Sequence, residues 1–91
     1  MTSFSESITT TKTTSTFKLL GNFSMSIKGN AASTVAFQRS MDGGMTWGDA
    51  ISLVNSNGEY RDAEFLDGTL FRFNVTRGGS DTIVVQAADR V

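Results

Sequence analysis

The chain has 91 residues, 19% of them charged, a formal net charge of -1, and no Cys, His or Pro. That length holds one domain, and the missing Cys and His remove thiol nucleophiles, imidazole bases and the usual transition-metal ligands, so neither an enzyme nor a cofactor or metal site is expected. The basic residues stand singly, at Lys12, Lys18, Lys28, Arg39, Arg61, Arg72, Arg77 and Arg90, and no apolar run approaches the roughly 20 residues that span a bilayer. Nucleic acid and membrane are therefore not expected partners.

Residues 1–16 contain eleven Ser or Thr and, beyond Met1, only Phe4 and Ile8 as larger apolar side chains. Such a segment buries too little apolar surface to offset its own ordering entropy. It reads as an N-terminal arm, disordered in the isolated chain, with Phe4 and Ile8 as candidate partner-binding residues once an assembly offers a strand edge. Its first residues lack a charged stretch followed by an apolar one, so export is not expected.

From Phe17 onward, residues 17–91 read as the folded domain, because the apolar period is close to two. Phe23, Met25 and Ile27 alternate with Asn22, Ser24, Ser26 and Lys28; Val35, Phe37 and Arg39 with Thr34, Ala36 and Gln38; Phe71, Phe73 and Val75 with Arg72, Asn74 and Thr76; and Ile83, Val85 and Ala87 with Thr82, Val84 and Gln86. Less regular segments lie at 17–20, 46–54 and 59–65. Turn signals fall at Gly21-Asn22, Gly29-Asn30, Asp42-Gly43-Gly44, Asn57-Gly58, Asp67-Gly68 and Gly78-Gly79, the two glycine pairs reading as hairpin turns. No stretch sustains a 3.6-residue period with caps. The expected fold is all-β: a small antiparallel β-sandwich or barrel of six to seven strands with an extended N-terminal arm. Proline commonly guards strand edges, so its absence predicts edges open to further pairing, by self-association or with a partner.

The most specific local pattern is Ser40-Met41-Asp42-Gly43-Gly44-Met45-Thr46-Trp47. The short carboxylate of Asp42 suits the N–H groups of its own turn, the glycines permit positive φ, and Trp47 packs on the loop. Trp47 itself reads as core, with a binding platform as the competing role, and Tyr60 reads equally as a core edge or as a contact residue. Asp42, Asp49, Asp62, Glu64 and Asp67 have no calcium-loop spacing and read as turn-forming or solvating carboxylates. Asn22-Phe23-Ser24 and Asn74-Val75-Thr76 fit the glycosylation sequon but fall within expected strands.

The pattern resembles the Asp-box, S-x-D-x-G-x-T-W, at every defined position: Ser40, Asp42, Gly44, Thr46 and Trp47. Asp-boxes recur as hairpin turns in sialidases and other β-propellers, which implies a structural turn here. The chain is too short for the four or more blades of about 40 to 50 residues that a propeller requires. Over residues 17–88, the runs 21–29, 34–40, Asp42-Gly43-Gly44 with Thr46-Trp47, and Leu70-Phe71-Arg72-Phe73 are similar to small β proteins of tailed-phage structural gene clusters, whose core pattern is R-S-x-D-G-G-x-T-W. Phe71 stands where those proteins have Tyr. The resemblance implies a virion protein made in the bacterial host cytoplasm. Its partner would be the phage capsid protein or other virion proteins. A capsid decoration or cement role binding across capsomers is the leading expectation. A tail or tail-fibre accessory protein and a carbohydrate-binding module in host attachment are the alternatives.

Overall fold

The computed structural model describes residues 2–89. Its strands are β1 (Ser3–Ile8), β2 (Lys12–Thr13), β3 (Phe17–Lys18), β4 (Gly21–Lys28), β5 (Thr34–Ser40), β6 (Gly48–Val54), β7 (Gly58–Glu64), β8 (Leu70–Thr76) and β9 (Ile83–Asp89). They form two sheets, A in the order β1-β9-β4-β7 and B in the order β2-β8-β5-β6, with β3 also on β8. Every pairing is antiparallel. β2 and β3 are two pieces of one broken edge, so the molecule is a sandwich of four strands on four. The all-β expectation therefore holds. The described residues contain no helix, and hence none long and apolar enough to cross a membrane.

Alternation sets the two inner faces. Phe23, Met25, Ile27, Ile83, Val85 and Ala87 project from sheet A, and Val35, Phe37, Phe71, Phe73 and Val75 from sheet B, all of them buried. Phe37 is central, with ring centroids 5.3 Å from Phe71 and 5.1 Å from Phe73. Six of the seven phenylalanines, all but Phe65, lie in or against this core and supply the large apolar areas that a disulfide-free domain needs.

The expected separate arm is not what the structure contains. Residues 3–8 are an edge strand of sheet A, in register with β9 from Ser3↔Ala88 to Ile8↔Ile83. Ile8 is 1% exposed, and Phe4 stacks on Phe17 at 4.3 Å. The segment is too polar to fold alone, but Ser3, Ser5 and Ser7 alternate with Phe4, Glu6 and Ile8, and β9 supplies the hydrogen bonds that the arm lacks.

Only the β5–β6 connection is a hairpin within one sheet among the described residues, apart from the broken β2–β3 edge; the others pass from one sheet to the other. Gly78-Gly79 therefore lies in a crossover between β8 and β9, not in the expected hairpin. Residues 9–11, 29–33, 55–57 and 77–82 gather at one end of the sandwich, and 19–20, 41–47 and 65–69 at the other, as the registers Ser40↔Leu70 and Gly21↔Glu64 require. At the first end Gly29 has φ +78°, and a Cβ there would stand 2.1 Å from the Thr82 carbonyl oxygen, so no other residue fits without moving backbone.

The edges are guarded without proline. Glu6 on β1, and Asp62 and Glu64 on β7, have the inward parity of their strands and place charge where an added strand would seek an apolar neighbour. β6 carries a bulge, since Phe37 pairs with Ile51 but Gln38 with Asp49, leaving Ala50 extra. The fourth edge is broken between β2 and β3. Inter-sheet ion pairs close both flanks: Lys12–Glu6 at 2.6 Å, and Arg39–Glu64. The edges thus carry guards other than proline, which no residue count reveals.

Candidate functional site

The end formed by residues 19–20, 41–47 and 65–69 is built outward from the Asp42 turn. The Asp42 Oδ1 atom accepts from the Ser40 hydroxyl at 2.7 Å and from the N–H groups of Met45 at 3.1 Å and Thr46 at 2.9 Å; Oδ2 accepts from the Thr46 hydroxyl. The Ser40 hydroxyl in turn accepts from the Gly44 N–H at 2.9 Å. Gly43 and Gly44 take φ of +76° and +96°, which explains the glycines at this reversal. These bonds, the Thr46 hydroxyl and N–H foremost and then the Ser40 hydroxyl, lower the Asp42 pKa from 3.8 to about 2. Ser40, Asp42, Gly44 and Thr46 thus interact within one local turn, and the arrangement is local enough to be read from the sequence.

Trp47 is a different case. Its Nε1 donates to the Gly44 carbonyl at 3.1 Å, and the Arg72 guanidinium lies 4.1 Å from its ring centroid. Arg72 alternates with the buried Phe71 and Phe73, so it points away from the core, and Trp47 packs on the outer face of sheet B. The reading of Trp47 as core is corrected here. The bulge at Ala50 turns Asp49 onto the same face, where it accepts from Gln38 Nε2 at 2.9 Å while Gln38 Oε1 accepts from Arg72 Nε at 2.7 Å. With one ring face covered by a cation and its N–H bonded, the indole lacks two of the features that a sugar-stacking platform uses.

Behind the turn, Arg39 continues the inward parity of Val35 and Phe37 but reaches the flank, because Gly48 stands opposite it on β6. Its guanidinium donates to both carboxylate oxygens of Glu64, through Nε to Oε1 and through Nη2 to Oε2 at 2.8 Å, and Nη1 lies 2.7 Å from the Met41 sulfur. Glu64 is buried and also accepts from the Leu66 N–H at 3.1 Å. The Arg39 hydrogen bond holds the Glu64 carboxyl below its ordinary pKa, against the opposing effect of burial. Tyr60 packs against the core and donates to Asp62 at 2.6 Å, an interaction that raises the tyrosine pKa. Asp42, Asp49, Asp62 and Glu64 are thus each engaged with a different partner, and no three acidic side chains converge among the described residues.

What sequence reasoning missed is the company these turns keep. Of six exposed large apolar side chains among the described residues, five lie at this end: Leu20, Met41, Met45 (85% exposed), Phe65 (82%) and Leu66. Their backbones are held from beneath. Leu66 is tied to Glu64, and the Leu20 N–H donates to the buried Asp89 at 2.9 Å. The opposite end has Val54 alone and is closed by polar bonds: Asn30 Nδ2 to the carbonyls of Leu53 and Ser56, the Asn30 N–H to Asn57, and the Gly78 N–H to the Ser33 hydroxyl. The available signal was that Met41 and Leu66 precede Asp-Gly turns where small polar residues are usual.

The chain matches no protein-family profile, no curated protein and no solved structure.

Proposed function

We propose that this chain is a non-catalytic structural component of a tailed-phage particle, a capsid decoration protein that docks through the loop end of its sandwich. The observation that carries the binding role is the gathering of five of six exposed large apolar side chains on three loops fixed by hydrogen bonds. Exposed apolar clusters on small domains mark interaction sites, and rigid loops lose little entropy when they dock. The particle assignment rests on the similarity of Arg39-Ser40-Met41-Asp42-Gly43-Gly44-Met45-Thr46-Trp47 to the phage pattern. Guarded edges argue against strand addition as the attachment, so the loop end replaces an N-terminal arm as the docking element. A sugar-binding role is the weaker reading, since Arg72 covers one face of the only tryptophan.

Quantitative mass spectrometry of purified particles tests the proposal. A decoration protein approaches the copy number of the major capsid subunit, whereas a tail accessory is far scarcer. Particles lacking the chain should release their genome at a lower temperature. Absence from particles, confinement to tails, or an unchanged release temperature would overturn the capsid role.

A further inference from the structure

We infer that the loop end is built to enter an apolar pocket on a protein partner whose rim carries lysine or arginine. The inference takes from the preceding section only that the chain is a binding module. Residues 41–47 and 65–69 repeat one arrangement, an apolar residue followed by Asp and Gly: Met41-Asp42-Gly43 and Leu66-Asp67-Gly68, with φ of +76° at Gly43 and +91° at Gly68. Asp and Gly satisfy the turn; Met41, Met45, Phe65 and Leu66 are not needed for it, and their side chains stand outside the core. Large apolar residues at positions that the fold leaves to solvent are surface whose burial awaits another molecule. Methionine adds adaptability and phenylalanine a rigid anchor, the combination found at the centre of docking patches.

The chemistry of the partner follows from charge. Across residues 19–20, 41–47 and 65–69 the ionisable side chains are Asp42 and Asp67 alone, both exposed. Among the described residues the nearby cations are committed or set back: Arg39 is on Glu64, Arg72 is on Gln38 and Trp47, and Lys18 and Arg61 stand on the strands β3 and β7. Hydrogen bonds within its turn keep Asp42 anionic over ordinary pH. An apolar tip that carries two exposed aspartates is complementary to an apolar pocket with a cationic rim. The same carboxylates repel an anionic membrane surface and the like end of a second copy.

The test is a titration of the full, ¹⁵N-labelled chain, followed by amide shifts, with an amphipathic Leu/Lys helical peptide and with its Leu/Glu counterpart. The Leu/Lys peptide should move the amides of residues 20, 41–46 and 65–68. Met45→Ser and Phe65→Ser should each weaken its binding about tenfold, which is about 1.4 kcal/mol. Asp67→Asn should weaken it several-fold at low salt and less at high salt. All three positions are exposed, so the melting temperature should stay unchanged and a loss of binding will report the surface. Equal binding of the Leu/Glu peptide, shifts confined to other faces, or tighter binding to phosphatidylglycerol vesicles than to the Leu/Lys peptide would overturn the inference. A positive titration with the chain absent from particles would remove the virion reading and leave this one standing; a failed titration with the chain abundant on capsids would do the reverse.

Discussion

Ile8→Ala separates a strand that belongs to the fold from an arm that waits for a partner. Ile8 is 1% exposed, sits opposite Ile83 in the β1–β9 ladder, and belongs to the core cluster with Phe17 and Val75. The substitution removes three carbons, about 0.8 kcal/mol each in transfer free energy. The unfilled cavity adds to that, bringing the loss to about 3 kcal/mol within the range of about 2 to 5 seen for such truncations. A domain of this length has a total stability on the order of 5 to 13 kcal/mol, so the loss is a large share of it. Urea unfolding is the assay. With a slope of about 1 kcal/mol per molar for a small domain, the midpoint should fall by roughly 3 M at unchanged slope. Ser7→Ala, an exposed neighbour on the same strand, is the control and should stay within about 0.5 kcal/mol of the parent. If Ile8→Ala behaves like Ser7→Ala, β1 contributes nothing to the isolated fold and the reasoning fails.

Three further outcomes follow from the loop end. The Asp42 pKa is lower folded, at about 2, than its ordinary 3.8, so its contribution to stability is complete above about pH 4 and is lost as pH falls through about 2. Asp42→Asn should flatten part of the fall in melting temperature across that window, leaving the part due to Glu64 and Asp62, whose carboxyls are also held low by Arg39 and by Tyr60. Arg39→Ala strands the buried Glu64 carboxylate and should cost about 2 kcal/mol in urea unfolding; this is below the roughly 3 to 5 of a fully buried pair because the Arg39 side chain is 34% exposed. Arg72→Gln removes the cation from the only tryptophan and should shift the fluorescence emission of Trp47 while costing no more than about 1 kcal/mol of stability.

The inner faces and the turn at residues 40–47 were legible in the sequence because both are local. Phe23, Met25 and Ile27 lie on one side of a strand by the two-residue repeat alone, and Asp42 finds its donors within four residues. Residues 3–8 carry the same repeat, but serine and glutamate dilute it, and what makes it a strand is β9, whose Ile83 lies 75 positions beyond Ile8. Trp47 was misplaced because burial of an aromatic is a tendency of composition, whereas its face was decided by the direction in which β8 presents Arg72. Arg39 and Glu64 are 25 residues apart, and only the stacking of two sheets brings them together, while a bulge, inward charges and a broken strand guard the edges in proline's place. Likewise, Leu20, Met45 and Phe65 stand beside three separate turn signals in the sequence. Antiparallel pairing puts the starts of β4, β6 and β8 at one end, and that geometry makes the three loops a single surface.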